Sequence, residues 1–269
     1  MRLTVLNDNN TYIDQYYCGE PAVAYYLEDG DRRILWDCGY SDLCLRNAQA
    51  LGIDLHTLTD IALSHGHDDH TRGLTALVQA IDLSSVTLTA HPLALAPKRS
   101  ETGQSIGAPF TAQELSQYVQ LRLTSAPVKL SPHLTFLGEI PRVHAFEATS
   151  AIGQRLTKQG WVADQLPDDT ALVYESPEGL YIITACSHSG IANICQYAQA
   201  VTGTQRILGI IGGFHLFGLT PQLTATITYL KNQHITELYP CHCVDFPARA
   251  AIHEQLPLHE VGVGLTLEW

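Results

Sequence analysis

The order of residue types predicts an α/β fold of two mixed β-sheets flanked by helices, on three observations. At residues 60–74 a short apolar run delivers three histidines and two aspartates into one tight corner. The first third alternates apolar segments with turn residues. The second half repeats one unit three times: strand, metal-type residues, helix. A site built on loops at one edge of packed sheets has this form. With 269 residues and 45% apolar content, the chain can bury the core of a single domain spanning 1–269, and no linker-like stretch divides it.

Residues 2–6 and 22–28 read as strands, and Glu28-Asp29-Gly30-Asp31 is a turn before Arg33-Ile34-Leu35-Trp36-Asp37, so the chain begins as an antiparallel meander. Asn7 to Asn10 form a polar loop. Ser41 is placed to cap a helix carrying Leu43, Leu45 and Ala48 that ends near Gly52. Ile61-Ala62-Leu63 then form a buried strand. Continued extended backbone puts His65 and His67 on the same side and turns Asp68 away. Gly66 lets the chain turn, and Asp69 and His70 open a helix at 71–81 with apolar Leu74, Leu77, Val78 and Ile81. The inward groups are therefore His65, His67, Asp69 and His70. Imidazoles with one carboxylate suit Zn, Fe or Mn. Sharing these four between two ions leaves each short of ligands, so others come from elsewhere.

A strand at 86–90 follows, and the nearby Lys98-Arg99 pair, with Arg142 further on, are candidate contacts for an anionic substrate group. Residues 100–118 are the least regular stretch and the expected lid, with a capping box at Thr111-x-x-Glu114. Short strands run from Pro127 to Glu147, where His144 and Glu147 are reserve ligand or acid/base candidates. Residues 150–168 read as an exposed connection, before strands at 171–175 and 180–185 joined by Pro177-Glu178-Gly179.

Three strand-to-helix corners follow. Cys186-Ser187-His188 precedes a helix at 190–201, Gly212-Gly213-Phe214-His215 one at 221–232, and Cys241-His242-Cys243 one at 247–255. His188 and His242, each just past a buried strand and beside thiols, are the further ligand candidates. Cys186 is the thiolate alternative to His188. His215 follows two glycines that permit close backbone approach, so Phe214-His215 is a candidate substrate wall with His215 as proton donor.

Composition narrows the classes. Seven cysteines, an odd number outside any small disulfide scaffold, favour reduced thiols. A net charge of −12 disfavours a nucleic-acid surface. Residues 1–8 turn polar after one strand's length and no apolar run approaches a membrane span, so a cytoplasmic protein without membrane partner is expected.

His65-Gly66-His67-Asp68-Asp69-His70 resembles the His-x-His-x-Asp-His signature of the metallo-β-lactamase superfamily, and Leu35-Trp36-Asp37-Cys38-Gly39 is similar to its earlier strand ending in Asp-x-Gly. The resemblance implies an αββα four-layer sandwich. It also implies that Asp37 orients a ligand by hydrogen bonding and that the loop from Asp8 to Tyr17 lies beside the site. Asp169-x-Ala171-Leu172-Val173, Cys186 to Ile191, Gly212 to Leu216 and Cys241-His242-Cys243 resemble the dihydropteroate-synthase-like metal-dependent hydrolases, a branch that includes an archaeal enzyme of methanopterin biosynthesis. That similarity supports His188 and His242 as ligands.

The chain departs from the wider superfamily in lacking a His-Thr-x-Gly-like motif and a strand ending in Gly-Asp. Where that aspartate is expected it reads Ala185-Cys186-Ser187-His188.

The resemblance implies one or two divalent ions, zinc first, with manganese or iron open. The expected activity is hydrolysis of a small ester, lactone or phosphoester by a metal-activated water that Asp69 both helps to ligate and orients. The alternative is a transferase joining a pterin pyrophosphate to an aminobenzene-type acceptor. From another class, a metal-dependent ligand-binding protein without turnover has the same donor set. The oligomeric state is not legible.

Overall fold

In the computed structural model, residues 1–147 and 151–269 are described. They form two compact units: the first comprises residues 1–125, 150–168 and 262–269, the second residues 126–149 and 169–261.

The first unit is built on a seven-stranded mixed sheet. Strands β1 (Arg2–Asn7), β2 (Ala24–Asp29) and β3 (Arg32–Trp36) form the expected meander, followed by β4 (Asp60–Ala62), β5 (Thr87–Ala90) and β7 (Gln120–Leu123). A last strand, β16 (Thr266–Glu268), pairs with β1 at the edge. β3, β4, β5 and β7 run parallel, with Trp36 opposite Ala62 and Ala62 opposite Thr89. This register places the corners after β3 and β4 side by side, at the carboxyl ends where open α/β sheets carry their sites. Helices α1 (Leu43–Ala50) and α3 (Leu74–Ala80) cover the sheet. Cys44 and Ala48 from α1 and Leu74 and Leu77 from α3 pack with Leu35, Ile61 and Leu63 in one buried cluster. These five leucines and isoleucines, at about 1.5–3 kcal/mol each, hold the layer together.

Three sequence expectations are corrected here. The N-cap position of α1 is Asp42, not Ser41, although Ser41 Oγ does accept the N–H of Leu43 at 3.2 Å. The helix expected at 71–81 is two helices, α2 (Asp68–Thr71) and α3, because the chain approaches Cys38 at Gly73: a Cβ there would lie 1.9 Å from the Cys38 carbonyl oxygen. Residues 154–163 are not a bare connection but a hairpin of β10 (Gln154–Thr157) and β11 (Gly160–Ala163), which adds β6 (Lys98–Arg99) to make a three-stranded sheet. The Arg99 guanidinium stacks over Trp161 at 4.1 Å and Nε donates to Gln154, which fixes that sheet's face. The capping box at Thr111 and Glu114 opens α4 (Ala112–Leu115) as read.

In the second unit a six-stranded sheet runs β15-β14-β13-β12-β9-β8. Its strands are β8 (Val128–Lys129), β9 (Leu134–Phe136), β12 (Leu172–Ser176), β13 (Gly179–Ile183), β14 (Ile207–Gly212) and β15 (Glu237–Pro240). β13, β14 and β15 are parallel neighbours, with Ile183 opposite Ile211 and Gly212 opposite Pro240. The three histidine-bearing corners therefore leave one edge of the sheet together. Helices α5 (Ile191–Thr202), α6 (Pro221–Asn232) and α7 (Phe246–His253) seal it through Ile194, Leu230 and Ile252. Phe214 is 1% exposed within this cluster, so it is core and not a substrate wall.

Glu147 is likewise reassigned. Its carboxylate accepts the backbone N–H groups of Ala192 (2.7 Å) and Asn193 (2.8 Å), closing the unpaired amino end of α5. Burial pushes its pKa up from 4.5 to about 7, against the pull of those N–H groups. A carboxyl whose folded value lies above its unfolded one favours the folded state most when protonated. Stability is then highest below pH 4.5 and falls as the pH rises to about 7. Chemical denaturation across that window is expected to show a decline of up to about 3 kcal/mol that Glu147→Gln removes.

Candidate metal centre

The corner after β4 carries the central cluster. His65 and His70 are fully buried and His67 is 9% exposed. Their rings touch: the His65 centroid lies 4.7 Å from that of His67 and 4.3 Å from that of His70. His65 Nε2 is 3.1 Å from His67 Nδ1, and His70 Nε2 is 3.5 Å from Asp69 Oδ2. Asp69 is the outermost member, its side chain 31% exposed.

Asp37, at the corner after β3, sets the imidazoles. Its Oδ1 accepts the N–H of Ser64 and its Oδ2 accepts Ser64 Oγ–H, both at 2.7 Å, and Oδ2 also lies 2.8 Å from His70 Nδ1. A carboxylate only accepts, so His70 Nδ1 carries the proton and Nε2 the lone pair. Ser64 has spent its single proton on Asp37. At 2.9 Å it therefore accepts from His65 Nδ1, which turns the lone pair of His65 Nε2 toward His67. One buried carboxylate thus selects the tautomer of two imidazoles, as orienting carboxylates behind metal-bound histidines do. It does so from a left-handed backbone conformation, φ 56°, that L-residues rarely adopt.

The electrostatics agree. Burial holds His67 down at about 4, outweighing Asp69, so it is a neutral donor near pH 7. Burial also opposes charge on His70, but Asp69 and Asp37 together raise its pKa well above the ordinary imidazole value. The corner favours positive charge at that point, which a divalent ion would supply in place of the proton. The 3.1 Å separation of the His65 and His67 nitrogens matches the edge of a tetrahedral site, about 3.3 Å for metal–nitrogen bonds of about 2.0–2.1 Å. The donor set fits a divalent metal.

Lys98 is not where an anion-binding role needs it. It is 2% exposed, and its Nζ bonds Asp164 Oδ2 (2.6 Å) and Asp168 Oδ1 (2.9 Å). Asp168 Oδ2 then accepts the N–H of Gly66 at 2.9 Å. Burial would raise the Asp168 pKa, but Lys98 and the Gly66 N–H hold it below the usual carboxylate range. Lys98 and Asp168 therefore brace the backbone between the two metal-type histidines. Gly66 has to be glycine, since a Cβ would fall 2.0 Å from the Ala94 carbonyl oxygen. Sequence reasoning missed this brace, because the partners lie 66 and 70 residues from Lys98. Arg99 is engaged by Trp161, and Arg142 is exposed on the second unit. An open depression of about 350 Å³ adjoins His67 and Asp69, walled by Ile106, Ile152, Pro21 and Tyr40. Arg72 lies over the Tyr40 ring at 4.6 Å, a cation at that rim the sequence reading did not single out. The expected substrate loop from Asp8 to Tyr17 is mixed: Asp8 is buried and holds the turn to Asn10, while Ile13 and Tyr16 are each 93% exposed.

In the second unit, Ser187 (φ 56°), His215 (φ 49°) and His242 (φ 52°) each turn one corner in the left-handed region. The rings of His188 and His215 lie 4.4 Å apart. His215 is partly exposed, and its ring meets Phe217 edge-on at 5.0 Å. Asp169 Oδ2 accepts the N–H of Ser189 at 2.8 Å and braces the Cys186–Gly190 turn. Cys186, His242 and Cys243 each offer a ligand atom within 4.8 Å of the others. Burial opposes ionisation of Cys243, but its contacts with Cys186, His215 and His242 hold the thiol well below its usual pKa.

Buried imidazoles, a reachable carboxylate and an orienting aspartate make a candidate metal-ligand set. A sequence profile described as the metallo-β-lactamase superfamily matches residues 19–192, and the chain belongs to that superfamily and has its fold. The chain is 29% identical over 248 residues to an uncharacterized protein of Methanocaldococcus jannaschii, covering 91% of each. It is 28% identical to the 7,8-dihydropterin-6-methyl-4-(β-D-ribofuranosyl)-aminobenzene-5′-phosphate synthase of the same organism, covering 83% of this chain and 79% of that one. A crystal structure described as a metal-dependent hydrolase of the β-lactamase superfamily aligns with a TM-score of 0.85 at 27% identity, covering 100% of this chain and 99% of that one. Among the described residues no helix is long and apolar enough to cross a membrane.

Asp37→Asn keeps the size of the side chain but puts a donor where two protons point. It is expected to leave the fold intact and weaken metal binding about 10–100-fold, read by competition with a chromophoric chelator.

Proposed function

We propose that the chain is a metal-dependent hydrolase acting on a small ester, lactone or phosphoester. The observation that carries this reading is the Asp37–Ser64 relay, which presents the lone pairs of His65 and His70 beside His67 and Asp69. His65, His67, Asp69 and His70 are its ligands in the first unit. His188 and His242, at corners of the second unit, are the further ligand candidates that the branch resemblance supports. Divalent ions in such a set polarise a bound oxygen and lower the pKa of a bound water toward neutrality, and zinc is the first choice.

The chain's own residues supply the rest. Asp69, the exposed edge of the cluster, accepts a hydrogen bond from the attacking water and fixes its direction. Lys98 and Asp168 keep Gly66, and hence the spacing of His65 and His67, rigid during turnover. Ile106 and Ile152 exclude water from an apolar part of a small substrate, and Arg72 at the Tyr40 rim balances an anionic part. His215, partly exposed at the corner after β14, is the candidate proton donor within the second unit.

A second reading is favoured by the 28% identity to the pterin-related synthase. In that reading the chain would join a pterin pyrophosphate to an aminobenzene-type acceptor, which takes the place of water as nucleophile while pyrophosphate leaves. Product analysis with and without such an acceptor separates the two.

Elemental analysis of the purified protein, followed by a screen of phosphodiester, phosphomonoester, lactone and thioester substrates, tests the proposal. At least one equivalent of zinc, manganese or iron is expected, with turnover of one class that His67→Ala lowers by about three orders of magnitude or more. Full activity in a metal-free His67→Ala protein would sink it.

A further inference from the structure

The corner after β15 brings two residues adjacent in sequence into one donor set. In an extended strand His242 and Cys243 would project to opposite faces. The left-handed turn at His242, φ 52°, breaks that alternation. Both residues then join Cys186, from the corner after β13, with ligand atoms all within 4.8 Å of one another. A non-glycine residue persists in that conformation only where its surroundings fix it.

Two features accommodate the Cys243 sulfur in particular. Gly213 leaves the space it occupies, since a Cβ there would lie 2.4 Å from Sγ. The backbone N–H of His215 donates to the same sulfur at 3.3 Å, a contact that stabilises a thiolate. Two sulfurs and one imidazole are a zinc-type donor set, and three protein ligands leave a fourth position open, as catalytic zinc sites do. Soft thiolates also discriminate against manganese and magnesium.

We propose that Cys186, His242 and Cys243 form a thiolate-containing ligand set for a soft divalent ion, with Cys243 a metal ligand in its own right. The proposal rests on the reading of His242 as a metal ligand and adds to it what selects the metal.

Cobalt(II) titration of the metal-free full-length protein under reductant tests it by absorption spectroscopy. Visible ligand-field bands report that cobalt is held, whatever the donors. A near-ultraviolet thiolate-to-cobalt charge-transfer band reports sulfur ligation. The wild-type protein is expected to show both. Cys186→Ser and Cys243→Ser are each expected to keep the visible bands and to lose about half of the near-ultraviolet intensity, one thiolate of two being removed. Visible bands without a near-ultraviolet band, or a near-ultraviolet band untouched in Cys243→Ser, would overturn the proposal and leave the metal-dependent reading standing. No cobalt binding at all would overturn both.

Discussion

A single buried carboxylate is the constraint on which the first unit's site depends. Asp37 accepts hydrogen bonds from the Ser64 backbone, the Ser64 hydroxyl and His70, and through Ser64 it reaches His65. Burying an ion costs several kcal/mol unless its oxygens are filled, and here they are. The arrangement also needs the parallel pairing of β3 with β4, which puts the carboxylate of one strand end beside the histidines of the next. Fold and chemistry are therefore coupled at one residue: a strand slip of one position would turn Asp37 and the histidines to opposite faces.

The same economy of design recurs at the other corners. Left-handed backbone recurs at the corners that carry the candidate site, at Asp37, Ser187, His215 and His242, as well as at Asp14, Leu166 and His234 elsewhere. Buried polar contacts brace the turns around these corners. Asp169 pins Ser189, Glu147 closes the start of α5, and Lys98 with Asp168 braces Gly66. These buried polar contacts contribute modestly to net stability, but removing one partner would strand a buried charge, so they specify geometry more than they add energy.

Much of this was legible in the chain itself. Ile61-Ala62-Leu63 reads as a buried strand from its composition, and the period of two plus Gly66 brings His65 and His67 together without any knowledge of the partner strands. The three late corners were legible because parallel central strands are continuous apolar runs. What escaped was non-local or faintly patterned. The β10–β11 hairpin has no buried face to impose alternation, its residues being half-buried or exposed, so it read as a connection. Lys98 read as a candidate anion contact because its two aspartates come from a distant part of the chain. Phe214 and His215 are neighbours with opposite fates, one in the core and one partly exposed, which only the turn at His215 decides.

The central claim is that the Asp37-ordered imidazoles hold a divalent ion. Crystals of the protein grown with zinc, with anomalous diffraction recorded on both sides of the zinc absorption edge, test it most directly. The account predicts an anomalous peak about 2.0–2.2 Å from the His65 and His67 nitrogens, with Asp37 hydrogen-bonded behind the ligands and not bonded to the ion. An ion bound by Asp37 itself, or zinc found only on surface residues while these imidazoles pair with one another, would contradict it.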